Sequence, residues 1–308
     1  MAKPNCIELP TGDRIPILYE DRSVLAIDKP RGWMLVPFSW QKTTRNLQAA
    51  LVSAIAAGDF WARSRHLKFL RFVHRLDADT SGVLLLAKSQ GALNAYGDLF
   101  ERRRMEKVYL AVVHGLPAQK EWTCRLKLGP DPRQRGRMKL DSRHGKPAET
   151  FFRVLESRKL PRGGGHSAWP RQQGTLASSA ANTVSKYSTH MDNSDGHSGR
   201  QDADPLRQAE CPPLPSGTLS LIEARPFTGR THQIRVHLAE SGCPVVGDDL
   251  YATPGEDSKQ PLGLRAVSLA YHDPFTRRRI HIEAPIDEFC RQFGFTIYDL
   301  RFTHACHG

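Results

Sequence analysis

The chain has 308 residues, enough for one large domain or two smaller ones with an ample core. Its 44 lysines and arginines outnumber 32 acidic residues, a net charge of +12 and a pI near 9.6, which favours a polyanionic partner through phosphate contacts and counterion release. No apolar run approaches the roughly 20 residues that span a bilayer, and the opening MAKPNCIELPTGDR lacks a signal peptide's apolar core, so a membrane or secreted protein is not expected.

Residues 1–14 read as an N-terminal tail. Two short strands follow over 15–29, around a turn at Glu20-Asp21-Arg22-Ser23. Residues 43–57 read as a helix that Thr43 or Thr44 can cap, with Leu47, Leu51 and Ile55 along one face. Ser89 can cap a second helix carrying Leu93, Tyr96 and Phe100 in a stripe. It ends at Glu101-Arg102-Arg103-Arg104, where basic groups suit the carboxyl end of the helix dipole and are equally placed to meet RNA phosphates. Strands are predicted at 106–114, 121–128 and 146–156. Residues 157–217, with Gly163-Gly164-Gly165, abundant polar residues and CPPLPSG, lack apolar periodicity and read as a disordered insert. Then come a strand at 218–226, a helix from about Thr231 to Glu240 closed by Gly242, strands near 264–271 and 278–283, and a short helix around Asp287–Phe293. Arg230, Gln233 and His237 fall on or near one face of the 231–240 helix. Strands in succession with occasional helices, and no βαβ rhythm, argue for an α+β fold on a mostly antiparallel sheet. One domain is expected, from 15–156 and 218–295, with a tail over 296–308. The six cysteines show no C-x-x-C pair or zinc spacing, and the His304, Cys306, His307 group reads as a frayed end. A reduced, cytoplasmic, soluble protein without a metal site is the economical expectation.

The stretch Phe72–Ala87, FVHRLDADTSGVLLLA, organises the rest. Two strand-like apolar runs flank Ala78-Asp79-Thr80-Ser81-Gly82, and Asp77 stands at the mouth of that turn, behind His74 and Arg75. Such a carboxylate is well placed for chemistry. Equally, Asp77 and Asp79 could only make side-chain-to-backbone turn bonds.

HRLDADTSG resembles the HRLD-x-x-TSG signature of the RluA-type pseudouridine synthases. Four further stretches resemble that family in its order. They are Lys29-Pro30-Arg31-Gly32, the strand Lys107–Gly115 (KVYLAVVHG), TGRTHQIRVHL from Thr228 to Leu238, and Gly242–Asp248 (GCPVVGD). Together they cover most of 17–156 and 218–290. The resemblance implies a long, bent, mixed sheet with flanking helices around a central catalytic cleft. It implies isomerisation of uridine to pseudouridine in structured RNA, ribosomal or transfer, without a cofactor; a monomer is expected, though nothing in the residues speaks to oligomeric state.

That reaction cleaves the N1–C1′ bond, turns the base and rejoins it through C5, with no redox change. The resemblance assigns the essential carboxylate to Asp77, as nucleophile or base, and its ionic partner to Arg235. A buried carboxylate tends to take up a proton, and a nearby guanidinium opposes this. At about 4 Å and an effective dielectric near 20, such a pair interacts by roughly 4 kcal/mol. Tyr109 is implied as the aromatic that stacks on the target base. Arg75, on the same face as Asp77 if the segment is a strand, is implied to fill the space of a flipped-out nucleotide. Arg230, His232 and Gln233 are the further expected RNA contacts, while His74 is assigned a structural hydrogen bond. Two departures stand out. Val36 occupies a position where many relatives carry histidine, and the family's small RNA-binding domain ahead of the catalytic one is not expected here, since only about 15 residues precede the first predicted strand. The rival readings are an inactive RNA-binding or ribosome-assembly factor, and a hydrolase using Asp77, which would want a metal site or oxyanion hole.

Overall fold

A computed structural model describes residues 3–9, 11–35, 43–160, 217–252 and 260–296. Its centre is a sheet of twelve strands: β1 (Cys6–Glu8), β2 (Arg14–Glu20), β3 (Val24–Lys29), β4 (Arg71–Phe72), β5 (Ser81–Ala87), β6 (Glu106–His114), β7 (Glu121–Pro130), β8 (Met138–Leu140), β9 (Lys146–Lys159), β10 (Thr218–Pro226), β11 (Leu264–His272) and β12 (Arg279–Glu283). The main order is β1-β2-β3-β5-β11-β6-β10-β9-β7-β8, with β4 paired to β5 and β12 to β11. Only the β5–β11 pairing is parallel, so the sheet is mixed and mostly antiparallel, in an α+β fold. Among the described residues five helices flank it: α1 (Leu47–Ala57), α2 (Phe60–Arg63), α3 (Gln90–Glu101), α4 (Gln233–Glu240) and α5 (Asp287–Gln292).

Period-two alternation divides the core between the two faces of the sheet. Leu25, Ile27, Leu84 and Leu86 pack with Leu47 and Leu51 of α1 and Trp61 of α2. Val24, Ala26, Val83, Leu85 and Ala87 of the same strands meet Ala92, Tyr96 and Leu99 of α3. Central strand β5 is therefore buried on both sides, which is why it reads as an unbroken apolar run.

Several local expectations are corrected. The first helix begins at Leu47 rather than 43, because Asn46 Oδ1 accepts from Ala49 N at 3.1 Å while Thr43 Oγ1 accepts from Arg45 N in a turn upstream. The predicted tail contains β1, paired with β2, and the predicted insert begins only after β9 has run on to Lys159. Residues 161–216, Val36 and the stretch 297–308 lie outside the described residues. The chain leaves the sheet at Leu160 and returns at Gly217, whose carbonyl accepts from Leu160 N at 2.5 Å. Ser89 caps α3 as expected, its side chain accepting from Ala92 N. Gly242 follows α4 with φ +72°, the left-handed geometry of a helix end.

Gly82 shows how tightly the signature turn is joined to the sheet. Its φ is +111°, and a Cβ there would lie 1.9 Å from the carbonyl oxygen of Ala266 on β11. Gly82→Ala is accordingly expected to destabilise the protein by about 3 kcal/mol, through overlap with backbone and a strained φ. Denaturant unfolding measures this; a change below about 1 kcal/mol would mean that β5 and β11 are not packed as described.

Candidate active site

Sheet register brings the distant motifs together. Gly82 pairs with Lys29 on one side and Ala266 on the other, and Ala266 in turn pairs with Tyr109 of β6. Tyr109 also pairs with Ala224 of β10, whose end leads through Phe227-Thr228-Gly229 into α4. The turn carrying Asp77, the strand carrying Tyr109 and the helix carrying Arg235 therefore converge on one open cleft. Asp77, Tyr109, Arg235, Arg75, Arg230, His232 and Gln233 all line it. Four cationic side chains, Arg75, Lys107, Arg230 and Arg235, surround a single carboxylate, so the cleft suits an anionic ligand.

Residues 74–77 are not strand, contrary to expectation, although Arg75 and Asp77 both face the cleft. The irregular backbone is held from below by Lys29. Its ammonium is buried and donates to the carbonyls of Pro30, Ala78 and Thr80 at 2.9, 2.7 and 3.0 Å. Burial lowers the Lys29 pKa to about 8, with Asp79 and Asp77 opposing. Among the described residues neither Asp77 nor Asp79 makes a side-chain-to-backbone turn bond, so Asp77 is not occupied as a local cap. Its Oδ2 lies 3.8 Å from Arg235 Nη1 and its Oδ1 3.8 Å from His232 Nε2, distances of charge attraction rather than hydrogen bonding.

Arg235 is held by a different carboxylate. Its Nε and Nη2 donate to Asp248 at 2.8 and 2.6 Å, a buried two-pronged pair, with Asp249 at 3.4 Å. Burial opposes the charge on Arg235, but the hydrogen bond and charge of Asp248, then the charge of Asp77, more than offset it and raise the pKa. Asp248 also accepts from the backbone of Leu250 and Tyr251, fixing the loop after the pair. Tyr251 then places its ring 5.2 Å from the Arg235 guanidinium and its hydroxyl 2.9 Å from His232 Nδ1. His232 opens α4 with φ +55°, and burial lowers its pKa, against the pull of Asp77. Tyr109 is held above an ordinary phenol's pKa by burial and then by the Asp77 charge, so its hydroxyl stays protonated.

Two expectations about α4 are corrected. Gln233 is buried and its amide is saturated: Oε1 accepts from Thr228 Oγ1 and Arg230 N, and Nε2 donates to Glu149 O and Thr150 Oγ1. It builds the wall of the cleft and has no hydrogen-bonding capacity left for RNA. Arg230 precedes the helix rather than sharing a face with Gln233 and His237, and its Nε donates to Pro147 O. His237 is fully buried against Thr150 Oγ1. His74 accepts from Leu85 N at 3.1 Å and stacks on Phe100, the structural bond expected of it.

Burial, then the charge of Lys107, lowers the His74 pKa to about 3, and burial lowers that of His237 to about 4. Both are neutral in the folded chain where an unfolded histidine takes up a proton. Their stabilising contribution is thus complete above about pH 6.5 and lost progressively as pH falls towards 4 and 3. The melting temperature is expected to fall over that window, and less steeply in His237→Asn; a flat profile from pH 7 to 4.5 would contradict it.

Lys29, Lys107, Asp248 and Tyr251 are site residues that the residue-by-residue reading did not single out. Lys29, Lys107 and Asp248 stood inside the quoted motifs, which was the available signal.

Comparison with known proteins agrees with this fold. The sequence model of the RNA pseudouridylate synthase family matches residues 23–240. The chain belongs to that family, enzymes that isomerise uridine in RNA. It is 27% identical to the ribosomal large subunit pseudouridine synthase C of Buchnera aphidicola, over 91% of this chain and 70% of that protein. To the protein of the same name from Escherichia coli K12 it is 29% identical, over 88% of this chain and 66% of the relative. The chain thus spans about two thirds of the length of such relatives. Among solved structures, human RNA pseudouridylate synthase domain containing 1 superposes with a TM-score of 0.57 at 23% identity, covering 88% of this chain and 83% of that one. Human domain containing 4 gives 0.55 at 20%, with 87% of each covered. Both share the fold. Among the described residues, no helix is long and apolar enough to cross a membrane.

Proposed function

We propose that this chain converts uridine to pseudouridine in structured RNA, and that ribosomal RNA is the substrate class, as the names of its bacterial relatives suggest. The observation that carries the reading is the convergence of Asp77, Arg235 and Tyr109, from three distant segments, in one cationic cleft. Asp77 is the reactive carboxylate. Attack on C1′, addition to the uracil ring and removal of a ribose proton all need an ionised carboxylate beside the target nucleoside, and Arg235 supplies the facing positive charge. Tyr109, with its phenol neutral, offers a ring face for the uracil and an O–H donor. Arg75, exposed at the mouth of the cleft, occupies the gap left when the nucleotide turns out of its helix. Arg230 and His232 flank the entrance.

Pseudouridine mapping of total RNA, by chemical labelling and reverse-transcription stops in cells with and without the protein, tests the assignment. A ribosomal site lost on deletion, and restored by the parent but not by Asp77→Ala, is expected. Loss at a transfer RNA site instead would overturn the substrate class. No change at any uridine would favour an RNA-binding factor that has kept the fold.

A further inference from the structure

Half of the chain's net charge lies in 22 residues. From Arg125 to Lys146 there are eight lysines and arginines against two aspartates, a net +6 of the total +12. This stretch forms β7, β8 and their turns at the outer edge of the sheet. Its two carboxylates are turned inward to the backbone: Asp131 accepts from Arg133 N at 3.0 Å, and Asp141 from Arg143 N and His144 N at 3.1 and 2.8 Å. Arg133, Lys139 and Arg143 are exposed, with no carboxylate at ion-pair distance among the described residues. Several basic residues elsewhere are paired, Arg65 and Lys88 with Glu20, Arg153 and Arg225 with Glu223, Arg265 with Asp28, as is Arg125 of this stretch with Glu149.

Charges on an edge strand can serve only to prevent edge-to-edge association. The position of this edge argues for more. Its root borders the cleft: Met138 N donates to the Tyr251 hydroxyl, and the Arg137 guanidinium lies 5.4 Å from the same ring that faces Arg235. The carbonyl of Pro147 accepts from Arg230 at the entrance. A polyanion whose nucleotide sits beside Asp77 would run directly onto this surface.

We infer that the β7–β8 edge from Arg125 to Lys146 grips the phosphate backbone of the RNA adjoining the uridine held in the cleft. The inference rests on the proposed RNA substrate and adds the surface that holds it. Phosphate contacts fix register without reading bases, so the edge supplies affinity and placement, and the cleft supplies the chemistry.

The test compares two full-length variants of equal charge change, Arg133→Gln/Lys139→Gln/Arg143→Gln on the edge and Arg277→Gln/Arg278→Gln/Arg279→Gln at the β11–β12 turn and the start of β12, where Arg279 pairs with Glu106. Binding of a fluorescent 30-nucleotide RNA hairpin is titrated from 50 to 300 mM salt, with thermal unfolding as the check on folding. The edge variant is expected to bind at least about tenfold more weakly, and its slope of log affinity against log salt to shrink by about 2 to 3, one counterion-release increment per lost contact. The turn variant is expected to stay close to the parent. On a ribosomal RNA transcript the edge variant should show a raised KM at nearly unchanged kcat. An unchanged slope in the edge variant, or equal losses in both variants, would overturn the inference. Binding is scored without turnover. A chain that loses affinity through the edge yet forms no pseudouridine would therefore count against the isomerase reading alone.

Discussion

Asp77→Asn is expected to lower the rate of pseudouridine formation by about 10³-fold or more, with RNA affinity within about threefold of the parent. The amide has nearly the carboxylate's shape but carries no charge and is a poor nucleophile and base. The side chain makes no hydrogen bond among the described residues, so the exchange leaves the turn intact. That turn is held instead by the Lys29 ammonium and by Gly32 N, which both donate to the carbonyl of Ala78. Single-turnover assays separate the effects, because a folding defect would reduce the active fraction and a binding defect would raise the RNA concentration needed. Turnover near the parent rate would remove Asp77 from its assigned role.

Substitution of Arg235 should damage stability and chemistry together. Arg235→Met leaves Asp248 buried and unpaired, and breaking such a pair from one side costs about 3 to 5 kcal/mol. It also removes the positive charge 3.8 Å from Asp77. Arg235→Lys keeps a charge but cannot form the two-pronged bond, so it should unfold at lower denaturant than the parent while remaining folded in water, with activity falling by about 10²-fold or more. Urea unfolding and kcat on the same preparations measure both. An Arg235→Met variant of near-parental stability would show that Asp248 does not depend on the arginine. A fully active Arg235→Lys would show that the pair's geometry is irrelevant to the site.

Long, patterned elements were legible in the sequence because their signals are local. Strand 106–114 is a nine-residue run of strand-forming residues whose middle, Leu110–Val113, is buried on both faces, and the α3 start follows from one serine accepting from Ala92 N. Short pieces such as β1, β4, β8 and α2 were not, since they have three or four residues or fewer and are set by their neighbours. The site was legible as motifs but not as a network. Nothing local in a lysine at the end of a strand says that its ammonium will be buried under three carbonyls, and nothing in HQIR says that the guanidinium's closest partner lies thirteen residues on, at Asp248. Gln233 is a similar case, a polar residue in a recognisable motif whose amide donates into β9 and accepts from Thr228 and Arg230. The charge of the β7–β8 edge was in plain view as single residues, yet only the fold places it beside the cleft.

The proposed reaction is the formation of pseudouridine with Asp77 as the reactive carboxylate. The most direct measurement incubates purified parent and Asp77→Asn with large-subunit ribosomal RNA transcribed with 5-tritiated uridine. Forming the C5–C1′ bond expels the C5 hydrogen, so tritium enters water once for each uridine converted. Release by the parent to a small whole number per RNA, matched by pseudouridine at defined positions and absent with Asp77→Asn, is the predicted result. No release by the folded parent, or equal release by both, would contradict the claim.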